Sequence, residues 1–191
     1  MITKRVKNFS RNDMATMFGE LGFKRGAEIG VRRGDYSEIL CTHIKSLEKL
    51  YSIDPWGLVF EDPRSHFEGR KKQNQYYEIA KERLGKYPIC EIMRKTSLEA
   101  ARDIEYESLD FVYIDGSHTF DYVMTDIIEW SKRVKKGGII SGDDYKLHKQ
   151  GDVITPVNIY VQAHGLEVLN VIEPKKDDKY PIPNWWFIKK L

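Results

Sequence analysis

Short apolar runs alternate with longer amphipathic stretches along most of this chain, and an acidic residue closes several of the short runs. Ala27–Val31, Leu50–Asp54, Ile89–Met93, Leu109–Ile114 and Ile139–Gly142 are brief and rich in β-branched or aromatic side chains, which is the signature of buried strands. Residues 36–47, 72–85 and 120–133 instead repeat apolar side chains every three or four positions, as amphipathic helices do. Alternation of this kind folds as βαβ units around a parallel sheet covered on both faces. Two further strands, Leu166–Ile172 and Trp185–Ile188, bring the expected sheet to seven. The expectation is an α/β fold in a single domain over residues 1–191. Residues 1–25 are read as an N-terminal helical cover, with Ser10 capping a helix that carries Met14, Met17, Phe18 and Leu21. Residues 55–72 mix Trp56, Phe60 and Phe67 with charges and suit a lid or substrate loop.

Composition narrows the functional classes. The 31 basic and 29 acidic residues leave a net charge of +2, which does not suit a dedicated nucleic-acid binder. No stretch approaches the apolar length of a membrane span, and no signal-peptide h-region follows the first residues. Cys41 and Cys90 lack any CxxC spacing and read as small buried hydrophobes in a reducing, cytoplasmic setting rather than as zinc ligands.

The acids define the candidate site. In open parallel sheets, ligands bind beyond the carboxyl ends of the strands, near the point where strand order reverses. Glu28, Asp54, Asp115, Asp143 and Asp144 all fall at expected strand ends, so they can share one crevice. Crowded carboxylates raise one another's pKa, so a cation or a ring of hydroxyls is expected among them. The loop Glu28-x-Gly30-x-x-x-Gly34 has glycines for a tight turn but departs from the G-x-G-x-x-G dinucleotide fingerprint. Glu28 at its entrance suits a cationic ligand better than a pyrophosphate, and Asp54, 20 residues after Gly34, stands where an acid accepts hydrogen bonds from ribose hydroxyls.

Four runs, Ala27-Glu28-Ile29-Gly30-Val31-Arg32-Arg33-Gly34, Ser52-Ile53-Asp54-Pro55-Trp56, Phe111-Val112-Tyr113-Ile114-Asp115-Gly116-Ser117-His118 and Gly137-Gly138-Ile139-Ile140-Ser141-Gly142-Asp143-Asp144, together resemble the class I, Rossmann-like S-adenosylmethionine-dependent methyltransferases. Within that superfamily the chain looks most like the metal-dependent O-methyltransferases of the macrocin O-methyltransferase type, which act on sugar hydroxyls. The resemblance covers about residues 10–190. It implies a mostly parallel seven-stranded sheet with an antiparallel last strand. It also implies that Glu28, Gly30 and Gly34 shape the cofactor cleft, that Asp54 holds the adenosine ribose, and that Ser97 and Asp115 lie beside the cofactor. Asp115, Asp143 and Asp144 would bind Mg²⁺ or another divalent cation, with Asp115 or His118 as the proton acceptor. A small-molecule or glycan hydroxyl would be the acceptor, nucleic acid and membrane would not be partners, and a homo-oligomer is compatible. A catechol-type acceptor and a non-catalytic cofactor-binding module are the rival readings.

Overall fold

The structure is a computed structural model that describes residues 2–57, 69–148, 151–174 and 182–190. In chain order its elements are β1 (Ile2–Lys7), α1 (Arg11–Glu20), β2 (Arg25–Ile29), α2 (Asp35–His43), β3 (Lys49–Ile53), α3 (Gly69–Leu84), β4 (Cys90–Met93), α4 (Ser97–Asp103), β5 (Leu109–Ile114), α5 (Phe120–Arg133) and β6 (Val134–Gly142). A two-stranded hairpin of β7 (Leu147–His148) and β8 (Gly151–Asp152), α6 (Ile154–Ala163), β9 (Val168–Glu173) and β10 (Asn184–Ile188) complete them. The main sheet has the order β1-β9-β10-β6-β5-β2-β3-β4. The pairs β2–β3, β2–β5, β3–β4 and β5–β6 are parallel, and β10 runs antiparallel to both its neighbours.

The seven expected strands are all present, and the antiparallel last strand is where it was anticipated. The structure adds an eighth. Residues 2–7, read from sequence as part of a helical cover, pair in parallel with β9 at the sheet edge. Lys4, Arg5 and Lys7 break the apolar alternation there, which hid the strand and also blunts an open edge. Helix α1 follows as expected, its Ser10 side chain closing a capping box with Asp13. The expected lid, residues 55–72, lies largely outside the described residues, which resume at Gly69 as the start of α3.

Each face of the sheet carries a core because strand side chains alternate. Ala27, Ile29, Ile53, Val112, Ile114 and Ile140 pack under α4, α5 and α6. Leu50, Phe111, Tyr113 and Ile139 pack under α1 and α2 with Met14, Phe18 and Leu40. The second face also brings Cys41 and Cys90, distant in sequence, into thiol–thiol hydrogen-bond contact, with Ser52 Oγ 3.2 Å from Cys90 Sγ. Strand order reverses between β2 and β5, so the crevice opens beyond Ile29 and Ile114.

Candidate active site

The crevice is built around one close approach. Gly30 has φ +91°, and a Cβ there would stand 2.0 Å from the Asp115 carbonyl oxygen. Only glycine lets the β2 exit pass the β5 exit at that distance. Gly34, φ +77°, caps α2 and lies against Leu84. Between them Arg32 is held at φ 52° by a clamp: its N–H donates to Asp54 Oδ2 at 2.8 Å, the Trp56 N–H donates to Asp54 Oδ1 at 2.8 Å, and Trp56 Nε1 donates to the Arg32 carbonyl at 2.7 Å. Burial raises the Asp54 pKa against the lowering effect of these N–H groups. Each carboxylate oxygen keeps a second lone pair, so Asp54 can take hydroxyl donors while holding the loop. Trp56 is fully buried and works as a wall of this loop.

The other acids take separate places around the crevice. Glu28 points beneath α2, 1% exposed, accepting a short hydrogen bond from Ser37 Oγ, which lies 2.7 Å from Ser52 Oγ. Burial raises its pKa well above the ordinary range, and Asp115 adds to that. It supports the crevice from below rather than lining its mouth. Ser97 is also turned away: its hydroxyl donates to Asp126 and accepts from Trp130 Nε1 at 2.8 Å, tying α4 to α5.

Asp115, His118 and Asp144 converge, with one ligand atom from each inside 4.8 Å of the others. His118 Nε2 is 2.9 Å from Asp144 Oδ2 and 3.9 Å from Asp115 Oδ1. Burial lowers the His118 pKa, but hydrogen bonds and charge from the two aspartates outweigh it and bring it up to about 10. Asp144 is held at about 2: burial works against this, and His118 and then Lys146 overcome it. Asp115 is raised, first by burial.

Asp143 does not join that cluster. Its Oδ1 accepts from the Asp144 N–H at 2.8 Å and from Asn184 Nδ2 at 3.1 Å. Burial, with the Asp115 charge behind it, pushes its pKa to about 8. Asp144 is left-handed, at φ 56°, and the neighbouring side chains diverge: Asp144 goes to His118 and Asp143 to Asn184. Of the set expected from sequence, Asp115 and Asp144 come together with His118, and Asp143 lies beside them with Asn184.

Sequence reasoning missed Arg11. The first residue of α1 lays its guanidinium 5.2 Å from the centre of the Tyr36 ring, and the Tyr36 hydroxyl donates to the Arg11 carbonyl at 3.0 Å. Tyr36 packs on Tyr113, ring centroids 4.3 Å apart, and the Tyr113 hydroxyl donates to Asn184 at 2.6 Å. Burial opposes the Arg11 charge, yet the nearby Tyr113, Asp115 and Asp143 raise its pKa overall. A usable signal existed: the helix dipole disfavours a cation in the first turn, so an arginine there has another partner. A second cationic group rims the far side of the loop, where Arg32, Arg33 and Lys72 approach the Tyr76 ring at 5.0, 6.0 and 5.8 Å and Arg94 the Tyr77 ring at 4.4 Å.

No helix among the described residues is long and apolar enough to cross a membrane. Residues 27–145, more than half of the chain, match the family model described as "Methyltransferase domain". The uncharacterized protein y4gI of Sinorhizobium fredii (strain NBRC 101917 / NGR234) is 22% identical over 159 residues, which are 76% of this chain and 17% of that protein. The chain thus spans about a sixth of the length of that relative. Among solved structures, an O-methyltransferase from Bacillus cereus in complex with SAH superposes with a TM-score of 0.66 at 13% identity, over 94% of this chain and 80% of that one. TomG, an O-methyltransferase of tomaymycin synthesis from Streptomyces achromogenes in complex with SAM, gives 0.66 at 14% identity, over 94% and 79%. An rRNA methylase from Streptococcus thermophilus gives 0.63 at 14% identity, over 94% and 96%. At these identities the superpositions speak for the Rossmann-like fold. The family match goes further: the chain belongs to the methyltransferase domain family.

Proposed function

We propose that the protein is an S-adenosylmethionine-dependent O-methyltransferase, assisted by a divalent cation, that methylates a hydroxyl of a sugar or glycosylated small molecule in the cytoplasm, with residues 1–191 acting as one domain. The observation that carries the cation is the convergence of Asp115, His118 and Asp144. The 2.9 and 3.9 Å separations from His118 Nε2 are short enough for the three side chains to hold one cation between them. Two carboxylates and an imidazole accept Mg²⁺ and suit Mn²⁺ at least as well.

When bound, the cofactor supplies an electrophilic methyl carbon on a sulfonium, and the cation supplies charge that acidifies and orients a hydroxyl. The chain supplies the alignment on which such a displacement depends. Asp54 accepts the ribose hydroxyls while its backbone partners hold the Gly30–Gly34 loop in place. Asp115, at the narrowest point of the crevice, and Asp144 hold the acceptor end. In the present site His118 keeps its Nε2 proton because two carboxylates face it. To serve as a ligand Nε2 must first release that proton, so the imidazole would hold the cation and Asp115, the other base expected from sequence, would accept the hydroxyl proton.

The test is methyl transfer from S-adenosylmethionine to glycoside and catechol acceptors with and without Mg²⁺ or Mn²⁺, beside calorimetry of the cation alone. Asp144→Ala and His118→Ala are expected to lower cation affinity tenfold or more, and Asp143→Asn by less than threefold. Equal losses in all three would restore Asp143 as a ligand. Turnover indifferent to chelation would remove the cation altogether. The basic rim around Tyr76 and Tyr77 favours a second reading, an anionic acceptor such as RNA. Steeply salt-dependent binding of a structured RNA would support it.

A further inference from the structure

We infer that Arg11 forms a carboxylate subsite that takes the α-carboxylate of the cofactor's aminoacyl arm. The inference rests on the cofactor proposed above. That arm is a zwitterion: a carboxylate and an ammonium attached through a short chain to the sulfonium. The lining at this end of the crevice is acidic, with Asp115, Asp143 and, beneath them, Glu28. Such a lining offers oxygen acceptors to the ammonium and the sulfonium but no positive charge to the carboxylate, unless a cation is placed for it.

Arg11 is that cation. Its guanidinium lies over Tyr36, the second residue of the helix that the Gly30–Gly34 loop enters. Tyr36 packs on Tyr113, and Tyr113 reaches Asp143 through Asn184. The guanidinium therefore stands on the same side of the sheet as Asp143, above the loop that narrows to Asp115. Its position is fixed from three directions: the Ser10–Asp13 capping box sets the start of α1, the Tyr36 hydroxyl holds the Arg11 carbonyl, and the ring supports the guanidinium face. A planar fork of N–H donors held in this way suits a carboxylate. The rim cations Arg32, Arg33 and Lys72 gather instead around Tyr76, beyond the Asp54 clamp, and serve the ribose end.

The experiment is calorimetry of the full chain with S-adenosylhomocysteine, its decarboxylated analogue, which keeps the ammonium, and 5′-methylthioadenosine, which has neither group. Wild type is expected to bind S-adenosylhomocysteine at least tenfold more tightly than the decarboxylated analogue. Arg11→Met is expected to erase that preference and to leave 5′-methylthioadenosine binding within twofold, which also shows that the variant is folded. Arg11→Lys should keep part of the preference. Equal weakening of all three ligands, or an unchanged preference, would overturn the subsite and leave the cofactor assignment standing. Failure of wild type to bind any of the three would overturn both. A loss confined to the acceptor's KM would reassign Arg11 to the acceptor.

Discussion

Gly30 concentrates the most geometry in a single residue. Its φ of +91° and the 2.0 Å approach of a would-be Cβ to the Asp115 carbonyl set two penalties on any side chain. Gly30→Ala is expected to destabilise the protein by about 3 kcal/mol and to abolish cofactor binding. Gly34→Ala, whose Cβ would meet only the mobile end of Leu84 at 3.1 Å, should cost about 1 kcal/mol. Urea midpoints of the two variants that coincide would contradict this account. The same residue scale shows what the sequence could and could not tell. The Gly30–Gly34 turn and the acids at strand ends follow from period and spacing. The division of labour between Asp143 and Asp144 does not, because both lie beyond the end of β6 and Asp144 is left-handed, so strand alternation no longer decides where they point. The partners of Ser97 were equally illegible: its place in the chain is beside the crevice, and its hydroxyl bonds Asp126 and Trp130.

Among elements, the most informative junction lies away from the crevice, at the other end of the sheet. Asp110 on β5 accepts from the N–H groups of Lys24 and Arg25 at 2.7 and 2.8 Å, and from Lys135 Nζ at 2.7 Å. One carboxylate thus ties the start of β2 to the irregular stretch where β5 and β6 shift register. Burial alone would raise its pKa, but Lys135 and the two N–H groups lower it overall. A depressed folded-state value means that the stabilisation is complete above the ordinary carboxylate pKa of about 3.9 and is lost as pH falls through the lower folded value. Asp110→Asn is expected to cost about 2 kcal/mol at pH 7, and its deficit against wild type should shrink toward zero near pH 2. Denaturation at pH 7, 4 and 2 checks this, and a deficit that grew on acidification would contradict it. The strands and helices framing this junction were legible because their burial is periodic. The latch was not, since Asp110 looks like an ordinary polar position at the start of a strand. Strand β1 escaped for the opposite reason, with almost no buried face to leave a pattern.

For the whole molecule, Glu28 dominates the expected pH response in the alkaline direction. Its pKa is raised, first by burial, so the folded state keeps a proton that the unfolded chain releases above about pH 4.3. Stability from this group therefore declines as pH rises beyond that value, up to the folded-state pKa. Glu28→Gln is expected to gain on wild type between pH 4 and pH 8, read from thermal unfolding without cofactor. A difference independent of pH would show that the carboxyl is ionised in place. The thiol pair of buried Cys41 and half-buried Cys90 sits beside this group through Ser52 and Ser37, so its packing should respond to Glu28→Gln.

The edge pairing of β1 has a consequence for the order in which the chain can assemble during synthesis. Residues 2–7 are made before the strands from β2 to β6, yet their sheet partner among the described residues is β9 at 168–173. The core from β2 to β6 can form while β1 is still without a neighbour, and closing so long a loop is slow. An edge strand made before the core is therefore among the last parts of the sheet to settle. Helix α1 packs on the sheet with α2, so Arg11 can reach its place over Tyr36 while that edge strand is still unpaired.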